Sequence, residues 1–245
     1  MERLLECSAL SLEIDGKTIY SDVTLALGKG SLAVLCGRNG AGKSQLLRTL
    51  KGLVRQTSGT VSLSGQVLKA SERLARIALV FQNADLQAVG ETVEKDVAFG
   101  PENLGWKRRE IAAAVDEAIA LMGLEDLRKR RPATLSGGEK RRLAIAGVLA
   151  MKPEVILLDE PFAALDYPST KAVLKALLDL HAAGHSILVV SHEIEKFLSH
   201  VDQVFIMSSG KLIHSGNAAD SLDALREAQV YVPPIGLEKM SWLQE

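Results

Sequence analysis

The eight residues GRNGAGKS, Gly37 to Ser44, restrict this chain more than any other stretch. They fit G-x-x-x-x-G-K-[ST], follow the apolar run SLAVLC (31–36) and open the helix-forming run SQLLRTLKGL. Glycines let successive backbone N–H groups turn inward on phosphate oxygens, and a helix N-terminus adds positive dipole. The pattern predicts a strand, a helix and, between them, a phosphate cradle made of Gly37, Arg38, Asn39, Gly40, Ala41, Gly42, Lys43 and Ser44. In it Lys43 reaches β- and γ-phosphates, and Ser44 offers its hydroxyl to Mg²⁺. An ordinary Gly-rich turn matches the whole pattern only rarely, and more rarely still between a strand and a helix. The chain is expected to bind a nucleotide.

Two further runs, VILLD (155–159) and SILVVS (186–191), are apolar on both faces like SLAVLC, as in strands of a parallel sheet covered by crossover helices. The N-terminal third differs: LLECSALSLEI, SDVTLAL and TVSLSGQVL read as short antiparallel strands separated by turn residues. Helical spacing of Ile111, Val115, Ile119 and Met122 predicts a helix over 108–124 with Gly123 at its end. Further helices are expected from Ser136 and over 171–184, the latter closed by Gly184. The segment VFQNADLQAVGETVEKDVAFGPENLGW (80–106) starts as a strand, breaks into polar residues and ends in a Phe99-Gly100-Pro101 turn.

The expected fold class is therefore α/β: a P-loop NTPase core with a mostly parallel sheet, an antiparallel β subdomain and an inserted helical subdomain. The insert begins near 84; its first part runs to about 134 and, with the helix opening at Ser136, it reaches about 150. One domain covers 1–216, and a weakly patterned tail with Pro233-Pro234 covers 217–245. A net charge of -1 gives no bulk attraction to nucleic acid or anionic lipid. No apolar run approaches the roughly 20 residues that span a bilayer, and the N-terminus lacks a signal-peptide core. Cys7 and Cys36 fit no zinc spacing and read as buried small apolar residues. A soluble cytoplasmic protein is expected.

Other residues complete a phosphoryl-transfer site. Asp159 ends VILLD at the carboxyl edge of the sheet, where ligands bind in such folds, and can hold Mg²⁺. Glu160 follows it and can orient or deprotonate an attacking water. Taken alone, the pair also fits a helix start before Pro161. His192, after SILVVS, could touch a γ-phosphate, although a lone histidine is more often structural. LSGGEKRRLAIAG carries a capping box, with Ser136 as N-cap and Glu139 three residues on. Gly137 and Gly138 weaken a helix yet leave its first N–H groups bare, which makes a second anion site. Lys140, Arg141 and Arg142 run against the helix dipole; a phosphate-facing or acidic-partner-facing surface and a solvated basic face fit equally well.

The phosphate loop, LSGGE, ILLDEP, the Ala164-Leu165-Asp166 run and Val190-Ser191-His192 stand in the order seen in ABC-type ATPase domains, which residues 3 to about 216 resemble. The resemblance implies ATP and Mg²⁺, with a head-to-tail dimer of ATPase subunits. Each ATP would lie between one protomer's Gly37–Ser44 loop and the Ser136, Gly137 and Gly138 element of the other. It makes Gln82 the Q-loop residue near Mg²⁺ and the attacking water, Asp166 the D-loop aspartate and His192 the H-loop histidine. Many such domains stack adenine on an aromatic residue, but the slot falls here near Ile14, while Tyr20 reads as inward-facing.

VFQNADLQ and the downstream DVAFGPENLG closely resemble the ATPases of energy-coupling factor importers, with Ala84 where those carry proline. This implies an integral membrane scaffold subunit docked near Gln87 and Phe99, and a separate membrane subunit that binds a vitamin or transition-metal ion. It also implies a peripheral place on the cytoplasmic face of the membrane. A soluble scaffold, as in iron–sulfur cluster assembly, is the other class weighed. A nucleic-acid factor fits poorly, because there is one phosphate loop and no long heptad insert.

Overall fold

The computed structural model describes residues 2–83 and 87–243; Ala84 lies outside the described residues. Strands β1 (Arg3–Ile14), β2 (Lys17–Gly28), β4 (Ser58–Leu63) and β5 (Gln66–Val67) form an antiparallel sheet in the order β2-β1-β4-β5. The main sheet takes β3 (Leu32–Cys36), β6 (Ile77–Val80), β7 (Val155–Asp159), β8 (Ser186–Val190), β9 (Gln203–Ser208) and β10 (Lys211–Gly216). Its order is β10-β9-β3-β8-β7-β6; all but the edge strand β10 run parallel.

Every residue of β3, β7 and β8 is buried, with alternate side chains going to opposite faces. Val34, Ile156, Leu158, Ile187 and Val189 join one core, and Ala33, Leu35, Val155, Leu157 and Leu188 the other. The first core is closed by helices α4 (Arg108–Leu121), α5 (Gly137–Leu149) and α6 (Tyr167–Ala182). The second is closed by α1 (Lys43–Lys51) and the antiparallel sheet. Cys7 and Cys36 are buried free thiols in these two cores, as expected. Burial pushes the Cys7 pKa to about 11 and the Cys36 pKa to about 12.

Several expectations need correction. Two helices outside the tail have no sequence pattern that predicts them: α2 (Ala70–Arg76) and α3 (Val93–Asn103). Phe99-Gly100-Pro101 lies inside α3 and is not a turn. Pro101 has no N–H to give the Val97 carbonyl and so costs α3 one backbone bond, but only two helical residues follow it. A Cβ on Gly100 would meet the Cγ and Sδ of Met151 at 2.7 Å, so a larger residue there requires the Met151 side chain to shift. The helix expected over 171–184 starts earlier, at Tyr167, because the Asp166 carboxylate accepts the Ser169 N–H and Pro168 suits a first turn. Gly123 and Gly184 do end their helices in left-handed backbone. The tail is better ordered than its composition suggests: it adds α7 (Leu222–Glu227) and buries Leu225 and Met240 in the first core. Among the described residues, no helix is long and apolar enough to cross a membrane.

The segment after β6 is held by side chains. Gln87 accepts the Phe81 N–H at 2.9 Å and donates to the Leu79 carbonyl. Asp96, buried on α3, accepts the N–H groups of Val89 at 2.6 Å and Gly90 at 2.7 Å. Asp96→Ala removes the carboxylate that accepts both N–H groups and should cost about 2 kcal/mol, read as a lowered urea midpoint.

Candidate functional site: a phosphate cleft at the carboxyl edge of the sheet

The parallel strands deliver their ends to one edge. β3 runs into Gly37, β6 into Phe81 and Gln82, β7 into Asp159 and Glu160, and β8 into Ser191 and His192. Together they border a cleft of about 450 Å³ lined by Ile19, residues 39–45, Gln82, Glu160 and His192. Gly37 makes the turn possible: its φ is 136°, and a Cβ would stand 2.0 Å from the Met207 carbonyl oxygen.

Lys43 is nearly buried, and its ammonium donates to the carbonyls of Gly37 at 2.6 Å and Arg38 at 3.0 Å. Burial holds its pKa below the ordinary lysine value, against the opposing pull of Glu160 and Asp159. A phosphate would supply the compensating charge. Ser44 donates its hydroxyl to Asp159 Oδ1 at 3.0 Å. Burial raises the Asp159 pKa, and the Ser44 hydrogen bond partly offsets it. A hydroxyl and a carboxylate this close are hard oxygen donors that fit Mg²⁺, which takes one or two carboxylates and completes its shell with phosphate oxygens and water. Among the described residues no cluster of three or more His, Cys, Asp or Glu could hold a metal unaided.

Glu160 sits in left-handed backbone at φ 48°, a conformation that costs a non-glycine residue roughly 1–3 kcal/mol. Its amide donates to the Val190 carbonyl at 2.9 Å, tying the end of β7 to β8. The carboxylate is nearly buried, and Oε2 stands 3.0 Å from Nδ1 of the half-exposed His192 ring. That approach lacks hydrogen-bond alignment, so Oε2 is a buried acceptor with no aligned donor. A polar atom placed so is suited to a water or hydroxyl proton.

The other expected residues lie elsewhere. Ser136, Gly137, Gly138 and Asp166 do not line this cleft. The capping box is formed: the Ser136 hydroxyl accepts the Glu139 N–H at 3.3 Å, and the Glu139 carboxylate accepts the Ser136 N–H at 2.7 Å. Ser136 and Gly137 are exposed, but Gly138 is buried. A Cβ on Gly138 would stand 2.6 Å from Ser169 Cβ, so this glycine answers to packing against α6 as well as to bare N–H groups. Asp166 is exposed; hydrogen bonds from Ser169 hold its carboxyl below the usual range. Ile19, not Ile14, reaches the cleft, and Tyr20 is fully buried.

Arg141 is the residue that sequence reasoning misread. It neither faces phosphate nor forms a solvated basic face: it is buried and donates to the carbonyls of Phe81 at 2.8 Å and Gln82 at 2.6 Å. Arg142 donates to the carbonyls of Met122 at 2.7 Å and Gly123 at 2.9 Å, capping α4. Charge opposed to a helix dipole was the available signal, but it does not reveal partners so distant in sequence.

The sequence profile of ABC transporters matches residues 20–163. The chain belongs to the ABC transporter family. It is an ATPase of that family. It is 37% identical to the energy-coupling factor transporter ATP-binding protein EcfA of Methanocaldococcus jannaschii, over 90% of this chain and 82% of that one. It is 41% identical to the cobalt import ATP-binding protein CbiO of Rhodobacter capsulatus, over 89% of this chain and 80% of that one. Its fold is similar to that of cbiO1 from Clostridium perfringens, part of the ABC transporter complex cbiONQ, with a TM-score of 0.84 and 30% identity; the alignment covers 95% of this chain and 97% of that chain. The α/β architecture read from the sequence is thus that of an ABC ATPase domain.

Gly138→Ala sets two effects in opposition. Alanine gains up to about 1 kcal/mol of helix propensity, whereas forcing a methyl into a packed contact costs about 1–3 kcal/mol. Because the Ser169 backbone also crowds the site, with Cα at 3.2 Å, the clash should win. A lowered urea midpoint is expected, partly recovered by adding Ser169→Gly.

Proposed function

We propose that this chain is the ATP-binding and ATP-hydrolysing subunit of an energy-coupling-factor-type importer, driving uptake of a vitamin or transition-metal ion through separate membrane subunits. The observation that carries the hydrolytic reading is the nearly buried Glu160 carboxylate beside His192 in the phosphate-loop cleft. The names of the similar EcfA and CbiO proteins support the importer class.

In this reading the backbone of residues 37–44 cradles the phosphates of ATP, and Lys43 leaves its own loop carbonyls for the β- and γ-phosphate oxygens. Ser44 and Asp159 hold Mg²⁺ with help from the Gln82 amide. The metal, when bound, neutralises charge that develops on the transferred phosphoryl group. Glu160 orients the attacking water and accepts its proton, and His192 steadies the Glu160 carboxylate and meets the γ-phosphate. A second ATPase subunit, the same chain or a sister, completes the site head-to-tail. The exposure of Ser136, Gly137 and Asp166 outside this chain's own cleft supports that arrangement.

The membrane scaffold subunit docks over the segment after Gln82. There a groove of about 300 Å³ lies between α3 and α5, lined by Gln87, Phe99, Leu104, Val148 and Met151 among others. Phe99 and Leu104 are exposed beside it. Such a partner would place the protein peripherally on the cytoplasmic face of the membrane. No bulk charge favours nucleic acid.

Glu160→Gln should bind ATP normally, hydrolyse it at least about 100-fold more slowly and accumulate as a dimer on size exclusion in ATP. Wild-type turnover in that variant would overturn the assignment. Phe99→Ala should leave ATP affinity unchanged and weaken co-purification of integral membrane proteins by about tenfold. Phe99 is the cleaner probe, since Gln87 also braces the end of β6. Undiminished recovery of those proteins would count against the groove.

A further inference from the structure

One buried cation joins the segments that flank the hydrolytic site. Lys196 lies on the short turn Ile194–Lys196 after His192, and its side chain is 4% exposed. Its ammonium sits 2.6 Å from a carboxylate oxygen of Glu193, the residue next to His192. The same ammonium lies 4.5 Å from the ring centroid of Trp242 and 5.9 Å from that of Phe162, two residues beyond Glu160. The Trp242 ring also packs on Tyr167 with centroids 5.1 Å apart, and Tyr167 directly follows Asp166. Backbone bonds fix the arrangement: Trp242 N–H donates to the Lys196 carbonyl at 2.9 Å, and Ser199 N–H to the Met240 carbonyl at 3.2 Å. His200 and Ser241 meet side chain to side chain at 2.8 Å.

A buried ammonium needs a paired anion, and aromatic faces within about 6 Å add further attraction, so its position is coupled to theirs. Here Glu193, Phe162 and Trp242 are those partners. His192 needs such help, because its own side chain is 55% exposed and its near contact to Glu160 is not an aligned hydrogen bond. We infer that the 240–243 segment is a positioning brace for ATP hydrolysis. Trp242 clamps Lys196 and Tyr167, and so fixes His192, Glu160 and Asp166 relative to one another. The inference rests on the hydrolytic reading of Glu160 and His192 given above. Trp242 itself does not line the nucleotide cleft, so its contribution is to turnover and not to binding.

The test is steady-state ATP hydrolysis by the full-length chain with Mg²⁺, with thermal unfolding recorded for each variant. Trp242→Ala should lower kcat by about tenfold and change KM for ATP by less than about twofold, measured well below its unfolding temperature. Trp242→Phe keeps a ring over Lys196 and should retain most of the activity. Tyr167→Ala removes the exposed ring that stacks on Trp242, together with its contact to Lys171, and should lower kcat by about threefold; it carries the test if Trp242→Ala does not fold. Wild-type kcat in folded Trp242→Ala, or in Tyr167→Ala when that variant carries the test, overturns the brace, as does a loss confined to KM. Glu160→Gln, assayed alongside, separates the two readings. If it is inactive while Trp242→Ala keeps wild-type kcat, the brace alone fails; if it turns over normally, the site reading fails and the brace with it.

Discussion

A parallel sheet buried on both faces has little room for polar side chains except at the ends of its strands, as with Ser186 and Asp159. The polar chemistry of this molecule is therefore expelled to the strand ends, and parallel strands send their carboxyl ends to one edge. β3, β8, β7 and β6 lie side by side, so the phosphate loop that follows β3 arrives beside His192, Glu160 and Gln82 although they are far apart in sequence. The site is a consequence of sheet order before it is a matter of individual contacts. The Glu160 amide bond to Val190 shows how closely the ladder is used, since it carries the β7–β8 pairing one residue past the strand and into the cleft.

What the sequence revealed was whatever depends on near neighbours. The doubly apolar runs, the phosphate loop and the Ser136–Glu139 capping box are local patterns, and each appears where the pattern placed it. The errors share a cause as well. Pro101 suggested a turn because proline usually breaks helices, and nothing local shows how near the end of α3 it falls. Asp166 and Pro168 announce a helix start, but the motif order in which the aspartate stands points first to a site residue. Arg141 looked like surface charge because the carbonyls it serves lie about sixty positions away. The packing reason for Gly138 is equally non-local.

Arg141 ties α5 to the nucleotide cleft, between two surfaces at the opposite ends of the helix. The helix opens at Ser136 and Gly137, exposed and outside this chain's cleft. Barely more than a turn later its guanidinium grips the backbone at Gln82, on the rim of the cleft. Its far end contributes Val148 and, just beyond, Met151 to the groove beside Phe99. The surface proposed for a second subunit, the nucleotide cleft and the surface proposed for a membrane partner therefore share a single rod. Gly138 seats that rod against α6, whose own N-cap is Asp166.

The two thiols have a practical meaning. Cys7 and Cys36 are sealed in the cores and bear pKa values pushed to about 11 and 12, so at neutral pH almost no thiolate exists to react. Burial and a suppressed thiolate both slow reaction of the native chain with alkylating and maleimide reagents, without any cysteine being removed. A single cysteine introduced on the surface becomes a unique attachment point for a dye or spin label. A pair of such cysteines lets a distance across the molecule be followed with the core unaltered.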